Sequence, residues 1–419
     1  MPATPLHVKI RLGTMMFLQF AINGVWSIPL VTCLAELKYS ESDTALVYTT
    51  FAWGAIGAPL FVGMIADRFF ASEKILAVLN LLGGVLLYLA TLAIGNPRMF
   101  FWALLAHCLC YFPTWSLTNS IALAHARDPD REFPIIRLMG TIGWIAVSAI
   151  SLAASFYQWN IEKTVWPLWI GAGLAIVAGI YNFFLPHTPP QAAGKKVRLG
   201  EVLGLPALAL LRDRNFAVLM FTSFLIMLPA AFFWTWGNDF LNEIGMESAQ
   251  FKQSIGQMAE VLFIFLLPVF FMRYLSFKSI FLLGLAAWAA RYALLAFSSK
   301  EDAAIYVALL LHGACFAFIF VLGPMYADRK APKELQASAQ GLLTLVTWGL
   351  GLLVGTALSG QFLERYKLAE RVGEIAHDWR MFWLWAALMS AAVAVVFAAL
   401  FRGKYDVTSP VQEAPAGNE

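Results

Sequence analysis

Long apolar runs, each separated from the next by a short polar segment, extend along almost the whole chain. Each run approaches the roughly 20 predominantly apolar residues with which an α-helix crosses a bilayer. The pattern predicts twelve membrane-spanning helices, six on either side of a polar segment from His187 to Asn215. The predicted spans are Leu12–Leu34, Leu46–Ile65, Ile75–Ile94, Met99–Ala122, Phe133–Phe156, Val165–Leu185, Phe216–Trp236, Ile255–Phe271, Ile280–Phe297, Ala303–Met325, Ala337–Leu358 and Met381–Phe401.

The composition agrees with a polytopic helical membrane protein. Hydrophobic residues make up 60% of the chain and charged residues only 13%, whereas a soluble domain is about half apolar and a quarter charged. The net charge is +3 and the basic residues are scattered, so nucleic acid is not a predicted partner. The 4 cysteines lie in apolar runs without metal-ligand spacing, and we interpret them as packing residues.

The distribution of Lys and Arg predicts the orientation of the chain. Loops on the side of the N-terminus carry about twice as many of these residues as loops on the other side. Because positive residues accumulate in cytoplasmic loops, we expect both termini in the cytoplasm. The predicted location is therefore multi-pass in the cytoplasmic (inner) membrane.

The spans and the polar segment define the predicted domain organisation. It consists of an N-terminal six-helix bundle at 1–186, a cytoplasmic linker at 187–215, a C-terminal six-helix bundle at 216–403 and a disordered cytoplasmic tail at 404–419. This layout resembles the major facilitator fold, an all-α membrane fold. In that fold the substrate binds near the midplane between two halves that rock around it.

A short motif in the loop after the second span supports this fold. The loop reads Gly63-Met-Ile-Ala-Asp67-Arg68 and resembles the G-x-x-x-D-R loop motif of the same superfamily. The resemblance implies a gating role, in which Asp67 caps a helix N-terminus and pairs with neighbouring cations. Such contacts would hold the two halves together.

Ionisable residues inside membrane spans are costly, about 2.5–3.5 kcal/mol each on insertion scales, and indicate function. Arg137 stands on the fifth predicted span with Thr141 and Trp144 at i+4 and i+7, so the three share one helical face. A cation, a hydroxyl and an indole are thereby predicted to line a cavity wall. The alternative is that Arg137 lies near the cytoplasmic end and extends to water.

The eighth predicted span carries Glu260 one turn after Gln257. A carboxyl and an amide on one face can bind vicinal hydroxyls, and burial favours a neutral, protonated carboxyl. Glu260 is therefore a candidate proton carrier. The alternative is a static ion pair with Arg291 of the ninth span, which would keep Glu260 ionised.

One face of the first span leaves two interpretations open. Gln19, Asn23 and Trp26 recur at i, i+4 and i+7. They could either form hydrogen bonds between helices or line the cavity.

Other chemistry is not predicted. The sequence has no phosphate-binding loop, no metal-ligand cluster and no nucleophile–base pattern, so we expect neither an ATP-driven pump nor an enzyme, and no cofactor. Among the many aromatic residues, only Trp144, Trp234 and Phe316 are expected at a cavity.

Several segments resemble the bacterial nucleoside:proton symporter family. Phe133-Pro-Ile-Ile-Arg137-Leu-Met-Gly-Thr141-Ile-Gly-Trp144 is similar to its F-P-x-I-R-x-x-G-T-I-G-[FW] signature. The similarity extends along nearly the whole chain and is closer to the family's less characterised members. The other matching segments are Tyr111-Phe-Pro-Thr-Trp-Ser-Leu-Thr-Asn119, Gln257-Met-Ala-Glu260-Val-Leu-Phe and Ala337-Ser-Ala-Gln340-Gly341.

The resemblance implies a nucleoside site. Trp144 and Phe316 would stack on the base, Gln257 and Glu260 would hold the ribose hydroxyls, and Arg137 would supply charge. Some positions depart from the family pattern, because polar residues on the seventh and tenth spans are replaced, which leaves the exact substrate open. The implied site residues are Arg137, Thr141, Trp144, Gln257, Glu260 and Phe316, and the departures are Ala231, Trp234, His312 and Ala317.

The predicted function is proton-coupled uptake of nucleosides by alternating access, with Glu260 as the proton carrier. The expected partners are a nucleoside, protons and membrane lipid, and the protein is expected to be a monomer. An alternative is a proton-coupled antiporter that exports another hydroxylated or drug-like molecule. A second alternative is a membrane receptor that transports nothing.

Overall fold

The computed structural model describes residues 4–61, 70–189, 200, 205–300, 302–332, 335–372 and 375–402. The described chain is almost entirely helical. The predicted loop motif of Gly63, Asp67 and Arg68, about half of the predicted linker (190–199 and 201–204) and the predicted tail lie outside the described residues.

We call the helices before the polar segment the N-terminal helices. The first predicted span is broken, because the helix ends at Trp26 and Pro29 precedes a second short helix. A 3₁₀ turn, Ile161–Lys163, connects the last two helices. The N-terminal helices are α1 (Leu6–Trp26), α2 (Leu30–Glu36), α3 (Glu41–Phe61), α4 (Ser72–Leu92), α5 (Pro97–His125), α6 (Pro129–Ser155) and α7 (Trp166–Asn182).

The helices after the polar segment are the C-terminal helices. A 3₁₀ segment, Leu205–Arg212, precedes them, and a two-stranded antiparallel hairpin of β1 (Lys367–Val372) and β2 (Ile375–His377) interrupts them. The sequence patterns did not predict this hairpin. The C-terminal helices are α8 (Arg214–Glu243), α9 (Ala249–Leu266), α10 (Met272–Tyr274), α11 (Phe277–Ala296), α12 (Ala303–Phe316), α13 (Leu322–Lys330), α14 (Gln336–Thr344), α15 (Leu352–Arg365) and α16 (Trp379–Leu400).

The membrane-spanning character predicted from the apolar runs is confirmed. Ten helices among the described residues are long and apolar enough to cross a bilayer. The sixth predicted span is a shorter apolar helix, Trp166–Asn182, and α3 covers the described part of the second. Polar caps begin several helices where the apolar runs begin. Asn96, for example, accepts backbone N–H bonds from the first turn of α5, and Asp213 does the same for α8.

Three C-terminal spans contain a π-helical segment: Leu267–Phe271, Ala317–Val321 and Leu345–Gly351. Each segment joins two α-helical pieces into one long apolar helix. An extra residue per turn rotates the side chains that follow, and such segments are frequent at functional sites. The second π segment begins directly after Phe316, and the third contains Trp348, so both lie at the cavity described below.

The two ends of the helical assembly differ in their contacts. We call the end where α3 begins, α8 ends and the β-hairpin lies the hairpin end, and the end where α1 begins and α16 ends the terminal end. In the described part of the chain, hydrogen bonds between N-terminal and C-terminal helices lie at the hairpin end. Examples are Thr32 Oγ1 to Asn238 Oδ1 at 2.6 Å and Asn160 Nδ2 to Asn242 Oδ1 at 2.9 Å. The molecule is therefore closed at the hairpin end.

Close helix packing depends on individual glycines, and α1 against α6 is the clearest case. A β-carbon at Gly143 would overlap the carbonyl oxygen of Phe17, and a backbone atom cannot move aside as a side chain can. We expect Gly143→Ala to destabilise the protein by about 1–3 kcal/mol, measured as a lower Tm in detergent. Gly173→Ala is the matched control, since nothing lies within 4 Å of its β-carbon position. Equal melting temperatures for the two variants would contradict the prediction.

Candidate functional site

A cavity of about 280 Å³ lies between the N-terminal and the C-terminal helices, close to the lower limit of ~300 Å³ for small-molecule sites. Both sets of helices contribute to its walls. α6 contributes a cation, a hydroxyl and an indole, α9 contributes an amide and a carboxyl, and α12 contributes a phenyl ring. The cavity thus brings together all the predicted site residues: Arg137, Thr141, Trp144, Gln257, Glu260 and Phe316.

Arg137 lies in the cavity wall, and its guanidinium carbon is 4.0 Å from the centre of the Phe20 ring. The face of an aromatic ring carries partial negative charge and stabilises a cation with little water around it. This contact explains how α6 holds a charged side chain at the cavity. Glu260 lines the same cavity from α9, on the C-terminal side.

Arg291 is completely buried and also reaches the cavity. Its guanidinium carbon is 3.6 Å from the centre of the Phe233 ring, and its Nη1 is 3.1 Å from Nδ1 of His312. Among the described residues no salt bridge joins Arg291 to Glu260. Since arginine can only donate, His312 accepts through Nδ1. The imidazole is therefore neutral, with its proton on Nε2.

Several buried polar atoms in the cavity wall have no hydrogen-bond partner among the described residues. Buried polar groups are normally paired, so the cavity wall retains unused hydrogen-bonding capacity of both kinds. Donors and acceptors are both represented, which suits a hydroxylated heterocycle. The unpaired cavity atoms are Asn23 Oδ1, Trp115 Nε1, Trp144 Nε1, Gln253 Oε1, Gln257 Oε1, Arg291 Nε and Thr356 Oγ1.

The two interpretations of the first span each hold for a different residue. Gln19 joins helices, since its Nε2 donates to Thr114 Oγ1 at 2.5 Å and its Oε1 accepts from Asn80 Nδ2 at 3.2 Å. Asn23 lines the cavity. Trp26 is buried and packs against neighbouring rings.

Most of the aromatic wall was not predictable from helical spacing. The three rings expected at a cavity, Trp144, Trp234 and Phe316, all line it. A further ring, Trp348, stacks on Trp234 with centroids 5.1 Å apart, and its position in a π segment could not be read from helical spacing. On the N-terminal side, Trp115 belongs to a motif that was noted only for its resemblance to the family. The other rings that were missed are Phe20, Tyr48, Phe51, Phe112 and Phe233.

Comparisons with known proteins agree with this site. The sequence pattern of the family described as "Nucleoside H+ symporter" matches residues 6–406. The chain is 40% identical to "Putative nucleoside transporter YegT" of Escherichia coli (strain K12) over 407 residues, which covers 95% of this chain and 94% of that protein. It is 30% identical over 423 residues to "Xanthosine permease" of the same organism, covering 96% and 97%. The crystal structure of nucleoside transporter NupG superposes with a TM-score of 0.83 at 28% identity, covering 95% of this chain and 100% of that chain.

Membrane helices on both sides of a central cavity are the arrangement found in secondary transporters, and the family match and the solved relative assign the chain to that class. The chain belongs to the nucleoside H⁺ symporter family. This confirms the predicted family and the predicted function of proton-coupled nucleoside uptake, and the antiporter alternative is not favoured. The family and its solved relatives are transporters and not enzymes, as the sequence analysis expected.

Proposed function

We propose that the protein works by alternating access of two six-helix halves, 1–186 and 216–403, joined by the linker 187–215 and followed by the tail 404–419. The position of the cavity between the two sets of helices supports this division. Twelve spans with both termini in the cytoplasm, in the inner membrane, follow from the apolar runs and the Lys/Arg bias. A monomer suffices, because the described cavity is built from one chain. In this orientation the hairpin end is extracellular.

The cavity walls suit a nucleoside. Trp144 and Phe316 offer ring faces for stacking on the base, on opposite sides of the interface. The unpaired Oε1 of Gln257 accepts a ribose hydroxyl, with the Thr141 hydroxyl and the Glu260 carboxyl in the same cavity to share in binding. His312, held neutral by Arg291, presents its Nε2 proton to an acceptor.

The observation that carries the mechanism is that Glu260 faces the cavity without a salt bridge in the described part of the structure. A static ion pair would keep the carboxylate charged, whereas an unpaired carboxyl at a cavity can gain and lose a proton. In the proposed cycle, protonated Glu260 binds the nucleoside from outside and the hairpin end closes. The terminal end then opens, and both the nucleoside and the proton leave to the cytoplasm.

A thermal-shift screen of the purified protein tests the substrate class. Uridine, adenosine and xanthosine are compared with ribose and with the free bases. A ligand at about 100 times its Kd stabilises the folded protein by ~2.7 kcal/mol, so at least one nucleoside should raise Tm clearly above ribose or base alone, since it fills both parts of the cavity. A shift with drug-like cations and with no nucleoside would contradict the proposal.

A further inference from the structure

A buried charged cluster at the hairpin end is separate from the substrate cavity. Its centre is His377 on β2, which is 7% exposed. Nδ1 of His377 is 2.7 Å from a carboxylate oxygen of Glu243, and Nε2 is 3.0 Å from a carboxylate oxygen of Glu41. Because ionised carboxylates only accept hydrogen bonds, both ring nitrogens carry a proton and the ring is an imidazolium.

The charge of His377 has a clear physical cause. Burial alone would disfavour the charged ring, but the hydrogen bonds to Glu243 and Glu41 outweigh it and raise the pKa of His377 to about 9. The register of the hairpin places Lys367 opposite His377, and Nζ of Lys367 is 2.8 Å from the same Glu41 carboxylate. Glu243 also accepts from the indole of Trp379 at 2.8 Å.

The cluster bridges the two sets of helices. Glu41 begins α3 and belongs to the N-terminal helices, whereas the other members belong to α8 and the β-hairpin. Opening of the hairpin end would remove Glu41 and leave the remaining groups together. A second carboxylate of the N-terminal helices, Glu162, docks nearby and accepts from the backbone N–H of Gln250 at 3.0 Å, at the start of α9. Glu162 also accepts from the side-chain amides of Asn238 and Asn242, so hydrogen bonds compensate its charge and it is counted apart from the cluster.

Asp239 has no such partner. It lies one helical turn before Glu243 and is 4% exposed, and its carboxylate has no hydrogen bond among the described residues. Its carboxylate points into the cluster, because a ligand atom from each of Asp239, Glu243 and His377 lies within 4.8 Å of the others. The cluster is thus built around a buried acid that no described hydrogen bond or salt bridge stabilises in its charged form.

The closed cluster holds more acidic than basic groups. With Glu41 in place, three acids (Glu41, Asp239 and Glu243) face two cations (His377 and Lys367) among the described side chains. A third cation, Lys163, exerts only a weaker attraction on Asp239 and also lies 4.0 Å from Glu36, whose charge offsets it. An uncompensated buried charge is costly, and a buried group avoids this cost by becoming neutral. The charged and titratable groups around Asp239 are Glu41, Tyr48, Lys163, Glu243, Lys367 and His377.

We propose that Asp239 is a second proton-binding residue of the transport cycle, which takes up one proton from the extracellular water when the hairpin end closes and Glu41 joins the cluster. The inference deepens the proposed function and rests on it. The proton returns to the extracellular water when this end reopens, so an acidic exterior favours closure. The donor spacing would also suit a divalent cation, but His377 has no free nitrogen to bind one.

The test measures closure directly and needs no substrate. Arg98→Cys and Lys300→Cys place spin labels on exposed residues of the two sets at the hairpin end, in the full chain in lipid nanodiscs. Distance distributions are recorded from pH 5 to 9. Uptake of one proton on closing means that the closed-to-open ratio rises by up to about tenfold per unit fall in pH.

The variants isolate Asp239. Asp239→Asn mimics the protonated acid and should stay closed at every pH, so its closed-to-open ratio should not depend on pH. Glu364→Gln is the matched control, since Glu364 accepts from Ser42 across the same interface but is exposed, and it should keep the slope. Glu41→Gln balances the cluster at two acids and two cations, so it should also lose the slope, and it tests the charge count if Asp239→Asn does not fold.

Three results would overturn the inference. The first is a wild-type distance distribution that does not depend on pH. The second is a slope that survives Asp239→Asn and disappears in His377→Gln, which would assign the proton to the imidazole. The third is a shift on adding micromolar Zn²⁺ alone, which would make the cluster a metal site. Because no nucleoside is present, failure here is distinguishable from failure of nucleoside transport, which the substrate screen reports.

Discussion

Glu260→Gln is expected to abolish nucleoside accumulation driven by a proton gradient while leaving nucleoside exchange intact. One proton that moves through about 100 mV contributes ~2.3 kcal/mol, and at ~1.36 kcal/mol per decade this supports roughly 50-fold accumulation. Glutamine has the shape of the protonated acid but cannot release a proton. The variant should therefore still move a bound nucleoside in both directions, with an accumulation ratio near one.

Proteoliposomes with an imposed pH gradient and labelled uridine, or whichever nucleoside the thermal-shift screen identifies, provide the measurement. Exchange is recorded separately by loading the vesicles with unlabelled nucleoside. Glu247→Gln is the matched control, because Glu247 is an exposed carboxyl just before the same helix, α9. If Glu260→Gln vesicles still accumulate nucleoside in response to the gradient, Glu260 is not the proton carrier.

Trp144→Ala is expected to weaken nucleoside binding by roughly 5-fold to 150-fold, since stacking of a base on an aromatic ring contributes ~1–3 kcal/mol. The indole lines the cavity, and its Nε1 has no hydrogen-bond partner in the described part of the chain. Its ring lies against Gly24, where a β-carbon would come within 2.9 Å of it. This contact fixes the plane on which the base would stack.

Equilibrium binding of the nucleoside to the purified variants checks this prediction. Trp144→Phe keeps a ring face and should retain most of the affinity, which separates stacking from simple loss of volume. Trp102→Ala is the control, because Trp102 is 66% exposed on α5 and does not line the cavity. Equal affinities of Trp144→Ala and the wild type would show that the base does not stack there.

Much of the fold could be predicted because the bilayer imposes a local rule. Backbone groups must be paired within each helix, and side chains must be apolar over about 20 residues, so the helices are visible as apolar runs. Features without such a rule were missed. The break after Trp26 and the β-hairpin around His377 depend on short segments that follow neither the residue period of a helix nor that of a strand.

The site was predictable where its residues share one helix. Arg137, Thr141 and Trp144 follow helical spacing, as do Gln257 and Glu260, and the structure places both groups at one cavity. The partner of Arg291 was not predictable in this way. His312 lies on another helix, and its position relative to Arg291 depends on how α11 and α12 pack.

The sequence by itself determined that the chain is a helical membrane protein. It also determined which face of α6 and of α9 is polar, and in which predicted spans the ionisable residues lie. These are properties of residues a few positions apart. Only the tertiary structure decided which helices enclose the cavity, that Glu260 is free of Arg291, and that Glu41 meets His377 from 336 positions away. The physical reason is that a contact between helices depends on their packing angles and offsets, which the period of one helix does not contain.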